Sequence, residues 1–469
     1  MEHERARAHP HSCVCHDLCL IKMKRRASAC AVGDSAKMFP VFLLSAASLS
    51  GTTSDAVTSL PTYGKVHGKQ YAGFAAVTPD GHNKLHYWFV ESDAGNKPDT
   101  PLLMWLNGGP GASSLTGLLA EKLGPQSIAT NGTLVDNPDR ITKTHHLLTL
   151  DNPVGSGYSS TSSGSYVTSE AQMRTQAVAA LRVFFKRHPE YASNPFWVTG
   201  ESYAGHYVPN IAWEVAVNAS EIPLQGVVIG NGMYNMALQY PSVGQMAYAA
   251  GAIDESTLAQ MEARQDACVA KVASEPATAG EFCENVTVYW LFSDAVAGEL
   301  FYYDVGMADG HFFDDITKAM GTYLNRADVK EAVHAEGATW TQSDEKGPVA
   351  AALLPDWTVN SDVVVAKLLE LGYAVNMYNG VRDLSSCNHI GNEKVLAELC
   401  KPDTSPCAGY AAQPSKPWPS AKMTEGYVRR SGNLTYATVL RTGHLVPTVV
   451  PKAFSTLLSM FIGTSSRRA

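Results

Sequence analysis

The chain has 469 residues, 45% of them apolar and 17% charged, the balance of a folded globular protein rather than a disordered one. Its formal charge of -8 and pI near 6.0, with basic runs only near the two ends, argue against a nucleic-acid binder. The length fits two or three average domains or one large α/β enzyme, and no repeat period stands out.

Residues 1–55 read as a leader and signal region, expected to be absent from the mature protein. They hold Cys13, Cys15, Cys19 and Cys30 and a basic cluster at residues 22–26. Met38 then opens an apolar run, 39–49, too short to span a bilayer but suited to the h-region of a secretory signal. Within residues 1–37 no paired Cys-x-x-Cys or His-x-x-x-His spacing points to a metal site, and none is expected. No later segment carries 18 uninterrupted apolar residues, so no membrane span is expected in the mature protein.

The first half of the core is expected over 56–235. Segments 71–77 and 85–90 alternate around Asp80-Gly81 and read as a hairpin. Residues 101–106 form a short apolar run, followed at once by Asn107-Gly108-Gly109-Pro110-Gly111. Residues 146–150 read as another strand and 170–188 as an amphipathic helix. Strands at 196–199 and 224–229 flank a helical stretch that runs through Trp213. From 236 to 325 the pattern turns to helix-like segments containing Cys268 and Cys283, and reads as a helical insertion over the sheet. The second half of the core, 326–469, brings strands at 374–378 and 436–440. Residues 406–419 are rich in Pro, Ser and Ala and read as an exposed loop. Buried strands alternating with helices predict a mostly parallel sheet covered on both faces.

Four sequons, at Asn131, Asn218, Asn285 and Asn433, are expected glycosylation acceptors. With the leader they predict the secretory route, to the exterior or to a vacuole or lysosome. Beyond the leader lie Cys268, Cys283, Cys387, Cys400 and Cys407. This odd number leaves one thiol over in an oxidising compartment. Pairings Cys268–Cys283 and Cys400–Cys407 suit their separations, though spacing alone does not establish them.

The chemistry centres on Gly200-Glu201-Ser202-Tyr203-Ala204-Gly205, a nucleophile elbow of the G-x-S-x-G type between a strand and a helix. A serine hydroxyl is a poor nucleophile near neutral pH and needs a base, which in turn needs an orienting acid. The α/β-hydrolase order is Ser, acid, His, and Asp383 and His444 follow Ser202 in that order, each just after a predicted strand. Attack on a carbonyl builds an oxyanion that needs backbone donors. Tyr203 supplies one N–H, and the glycine-rich loop, through Gly109, supplies the other. Glu201 beside the serine is electrostatically unhelpful unless it recognises something.

These segments together resemble the serine carboxypeptidases. The resemblance rests on Trp105–Gly111, Asp151–Gly155, Gly200–Pro209, Ile229–Gly232 and Gly443–Pro447, in family order across roughly residues 60–465. It implies an α/β-hydrolase fold with a helical cap, release of single residues from the C-termini of peptides and proteins, and no cofactor. It also implies a network that binds the substrate's terminal carboxylate, made by Trp105, Asn107, Glu121 and Glu201 with the Gly108 N–H. Two close carboxyls cannot both ionise cheaply, so one keeps a proton and can donate to a substrate carboxylate. An acidic optimum is therefore expected. Three departures stand out: Ala112 replaces a cysteine frequent in the family, one extra residue follows Glu121, and one extra residue separates Asp383 from Cys387. Cys387 is then the expected unpaired thiol, buried and inert. Alternatives carried beside this reading are an acyltransferase using the same three residues, a non-catalytic subunit, and a generic esterase. The last would leave Glu121 and Glu201 without purpose.

Overall fold

The computed structural model describes residues 54–465 except 294–295, 299, 308–310, 343–346, 402–405 and 420–422. The expected signal run at 39–49 and the first four cysteines lie outside the described residues. Asp55, at the end of the expected leader, already meets the core: its carboxylate accepts from the Tyr87 hydroxyl and lies 2.8 Å from His188 Nε2.

The described residues form fourteen strands: β1 (Ala56–Leu60), β2 (Gly64–Ala76), β3 (Asn83–Val90), β4 (Leu102–Leu106), β5 (Gln126–Ile128), β6 (Leu134–Asp136), β7 (His146–Leu150), β8 (Ser160–Thr161), β9 (Phe196–Glu201), β10 (Leu224–Gly230), β11 (Ala374–Gly380), β12 (Lys416–Pro419), β13 (Thr424–Ser431) and β14 (Leu434–Val439). The large sheet runs β1-β2-β3-β7-β4-β9-β10-β11-β14-β13-β12, with β8 against β3, while β5 and β6 pair separately. The centre, from β7 to β14, is parallel, and both margins are antiparallel. Every residue of β4, β7 and β9 is buried. That is why these segments read as short apolar runs with little alternation: helices cover both faces. Two clusters of buried side chains, one on each side, include Val198 and Leu106 in one and Trp105 and Trp197 in the other.

The helix Glu170–Arg187 starts at an N-cap serine, Ser169, whose side chain accepts from the Gln172 N–H. It packs beside the helix Ala204–Asn218 on one face of the sheet. In the expected insertion, Glu255–Ser274 and Pro276–Val286 form a helical hairpin closed by a Cys268–Cys283 disulfide. Cys400–Cys407 forms the other disulfide, and Cys387 is free and buried. No helix of the described residues is long and apolar enough to cross a membrane.

The reading of 406–419 as an exposed loop holds for most of 406–415 and is corrected at 416–419. Cys407 and Tyr410 are buried, and Lys416–Pro419 pairs antiparallel with β13 as the edge strand. An edge strand tolerates the missing N–H of proline, so composition misled there.

Candidate active site

Parallel register brings the expected site residues together. Leu106 is level with Gly200 across β4 and β9, and Gly230 is level with Glu201 across β9 and β10. The chain therefore leaves three adjacent strands side by side at their C-terminal ends, carrying Asn107, Ser202 and Asn231. Asp383 follows β11 and His444 follows β14 at the same edge of the sheet, where ligands of open α/β sheets bind.

Ser202 has a left-handed backbone, φ 65°. This conformation costs energy for a residue with a Cβ, and here it turns the strand into a helix within one residue. The turn is held by the Ser202 N–H to Gly230 O at 3.1 Å and by the Gly205 and Met233 N–H groups, both donating to Ser202 O. The elbow differs in one detail from its expected form. Two residues after Ser202 stands Ala204, and Gly205 comes one later. Its methyl fits because Gly200 has none: a Cβ there would lie 2.8 Å from Ala204 Cβ and 2.5 Å from Leu106 O. At Gly205 a Cβ would meet Met233 O at 2.3 Å.

His444 Nδ1 lies 2.7 Å from Asp383 Oδ2, and both side chains are buried. Asp383 also accepts from Asn231 Nδ2 at 2.8 Å and from the Ser385 N–H at 2.8 Å. His444, Ser202, Tyr203 and Gly109 line one cavity. Gly108 packs against the elbow, where a Cβ would sit 2.4 Å from Tyr203 N and 2.8 Å from Ser202 Cβ. No side chain can stand between the glycine loop and the backbone N–H of Tyr203.

The second group of expected residues forms a continuous buried chain. Trp105 Nε1 donates to Asn107 Oδ1 at 3.0 Å, and Asn107 Nδ2 donates to Glu121 Oε1 at 2.7 Å and to Glu201 Oε1 at 3.4 Å. Burial drives the Glu121 carboxyl above the ordinary range, and burial with the charge of Glu121 raises Glu201 as well. The two carboxyls come close enough to hydrogen-bond when one is protonated, and each keeps an Oε2 with no other protein partner. The extra residue after Glu121 is absorbed locally. Lys122 takes a left-handed conformation, φ 62°, while the Leu123 and Gly124 N–H groups reach back to Gly117 and Leu118 carbonyls. Glu121 thereby keeps its hold on Asn107.

Cys387 lines the same cavity as Ser202, and burial first, then the Asp383 charge, push its thiol well above the usual range. Asp151 ties the glycine loop down by accepting from Ser113 Oγ and the Ser114 and Tyr158 N–H groups, and burial raises it to about 6. Of the sequon asparagines, Asn131, Asn218 and Asn285 are exposed, whereas Asn433 is half-buried with Nδ2 donating to Gly372 O at 2.8 Å.

Sequence reasoning missed two contributions. Asn231 sits in the Gly-Asn-Gly segment singled out above, but no task was read for it. The signal was its place after a buried strand. The other is a strap from the expected insertion, residues 302–305. Tyr303 O accepts from the His444 N–H at 2.7 Å and Asp304 Oδ2 accepts from the Gly443 N–H at 2.8 Å. Tyr302 O accepts from the Leu384 N–H at 2.8 Å, and the Val305 N–H donates to Arg382 O at 3.1 Å. The strap thus grips the loops of Asp383 and His444 at once. No local pattern in the sequence marks it.

Parallel strands, helices on both faces and a left-handed serine at a strand's C-terminal end define the α/β-hydrolase fold. Within that class the chain belongs to the serine carboxypeptidase family, whose profile matches residues 61–464. Among its relatives, the pheromone-processing carboxypeptidase kex1 of Talaromyces stipitatus is 30% identical over 431 residues, 84% of this chain and 66% of that protein. Serine carboxypeptidase-like 48 of Arabidopsis thaliana is 31% identical over 396 residues, 82% of this chain and 76% of that protein. The chain thus spans just under two thirds of the length of the kex1 relative. The solved structure of Kex1Δp, a prohormone-processing carboxypeptidase from Saccharomyces cerevisiae, shares the fold with a TM-score of 0.74 at 22% identity, covering 85% of this chain and 92% of that one.

Proposed function

We propose that this protein is a serine carboxypeptidase that releases single amino acids from the C-termini of peptides and proteins, favoured at acidic pH. The observation that carries this reading is the Trp105–Asn107–Glu121–Glu201 chain beside Ser202. A plain esterase has no use for two buried carboxyls next to its serine, whereas a carboxyl that keeps its proton donates to an incoming carboxylate.

In this mechanism Ser202 Oγ attacks the carbonyl carbon of the last peptide bond, and its proton passes to His444 Nε2. Asp383, 2.7 Å from Nδ1, holds the tautomer that leaves Nε2 free to accept. The oxyanion is held by the N–H groups of Gly109 and Tyr203. The C–N bond then breaks, and His444 returns its proton to the leaving amine. Water, deprotonated by the same histidine, attacks the acyl-serine and frees the shortened peptide. The protonated carboxyl and the Gly108 N–H hold the terminal carboxylate throughout, so a chain end is favoured over an internal bond. No metal or cofactor enters this scheme.

Release of free amino acids from N-blocked dipeptides, measured across pH with Glu201→Gln in parallel, tests the reading. The variant is expected to lose peptidase activity at acidic pH more than esterase activity on an uncharged ester. Equal losses in both would remove the carboxylate-binding role. The two disulfides and the exposed sequons support passage through an oxidising secretory compartment.

A further inference from the structure

We infer that Glu284 makes the acyl side of the site select a cationic side chain, so that the preferred substrates carry Lys or Arg just before the residue released. The inference rests on the carboxypeptidase reading for its direction along the peptide. The cavity lined by Ser202 and His444 is lined also by Glu284, Tyr289 and Trp357. None of Trp105, Asn107, Glu121 and Glu201 lines it. The released residue, anchored by those groups, lies on the far side of Ser202. The cavity therefore receives the side chain of the preceding residue.

Glu284 is held in place from two directions. It follows Cys283, which the disulfide ties to Cys268 in the neighbouring helix, and its Oε1 accepts from the Tyr240 hydroxyl. Tyr240 is buried, and burial and the nearby Glu284 charge keep it a neutral donor. An adjoining cavity shares Glu284, Tyr289 and Trp357 and adds Glu281. Among the described residues the two linings contain carboxylates and neither Lys nor Arg. Met233, Val288 and Trp357 line the cavity with Ser202 and Glu284. A cavity whose lining joins Met233, Val288 and aromatic walls to a fixed carboxylate suits a long methylene stem with a charged tip. A short acidic side chain would meet like charge instead.

The test uses the full-length protein and two substrate series. One is N-blocked dipeptides with one released residue and Arg, Lys, norleucine or Glu before it. The other is N-blocked ethyl esters of those same amino acids, which need no carboxylate binding. Wild type is expected to favour Arg and Lys over norleucine, an uncharged chain of similar length, by about tenfold in kcat/KM in both series, with Glu poorest. Glu284→Gln, which still accepts from Tyr240, brings the Arg-to-norleucine ratio towards one, and Glu284→Lys raises Glu above Arg. A ratio near one in wild-type ester hydrolysis, or an unchanged ratio in Glu284→Gln, overturns the inference. Ester selectivity without release of amino acids from any dipeptide would sink the carboxypeptidase reading and leave the pocket standing. Absence of turnover in both series would overturn the two together.

Discussion

Replacing Asp304 tests whether the strap from the insertion positions the catalytic loops or merely covers them. Asp304 is buried, and its two oxygens each accept one backbone N–H at 2.8 Å, from Gly306 and from Gly443. Asparagine keeps one acceptor and turns an amine towards the other N–H. Losing a hydrogen bond to a buried charged group costs about 1.5–3 kcal/mol. Part of that cost falls on global stability and part on the loop that carries His444. The loop is tightly enclosed, since a Cβ on Gly443 would lie 2.0 Å from Tyr303 O, so it has little room to relax sideways. A shift of about 1 Å in a catalytic group is worth about 100-fold in rate. Asp304→Asn is therefore expected to lower kcat by 10- to 100-fold, with KM for an N-blocked dipeptide changed far less, because none of the residues proposed to bind the carboxylate is held by the strap. Rates are expressed per serine titrated by a fluorophosphonate, and a thermal melt in parallel reports folding. A purely structural Asp304 would lower the melting temperature and leave kcat per titrated serine as in wild type. That outcome would refute the reasoning.

The remaining predictions concern single groups. Glu121 and Glu201 are both raised by burial, so their protons are held at acidic pH and lost as pH rises. KM for a dipeptide should accordingly climb between about pH 4.5 and 8 while KM for an uncharged ester stays level, and a flat peptide profile would exclude the shared proton. Gly108→Ala puts a methyl 2.4 Å from Tyr203 N. Blocking that oxyanion donor should reduce kcat about 100- to 1,000-fold in both peptide and ester assays, and a loss under tenfold would mean the donor lies elsewhere. Lys122→Gly relieves a left-handed backbone at φ 62°. Allowing for the greater freedom of glycine in the unfolded chain, urea titration should show it neutral to about 1 kcal/mol stabilising; a loss of 1 kcal/mol would mean the turn needs the lysine side chain.

What could be read from the sequence was what is local. A buried parallel strand shows as an apolar run, and the residues just past its end face the site. Asn107, Ser202, Asp383 and His444 could therefore be named as neighbours with no contact known. The pairing of Leu106 with Gly200 and of Gly230 with Glu201 supplies the geometry that the runs alone leave open. Composition failed at 416–419 because it cannot tell an edge strand, where proline costs little, from a loop. The strap was invisible for a different reason. Its contacts to Gly443 and His444 span about 140 residues and run mostly through backbone atoms, Asp304 Oδ2 excepted, so side-chain chemistry leaves almost no trace of them. This bears on how the site is built. The sheet sets where Ser202, Asp383 and His444 emerge, but the two loops bearing Asp383 and His444 are joined by residues 302–305, between β10 and β11. The same stretch between β10 and β11 supplies Glu284 to the lining of the cavity. Changes in that region are expected to move catalytic rate through Asp304 and substrate choice through Glu284, two effects that a kcat and selectivity measurement on one set of variants would separate.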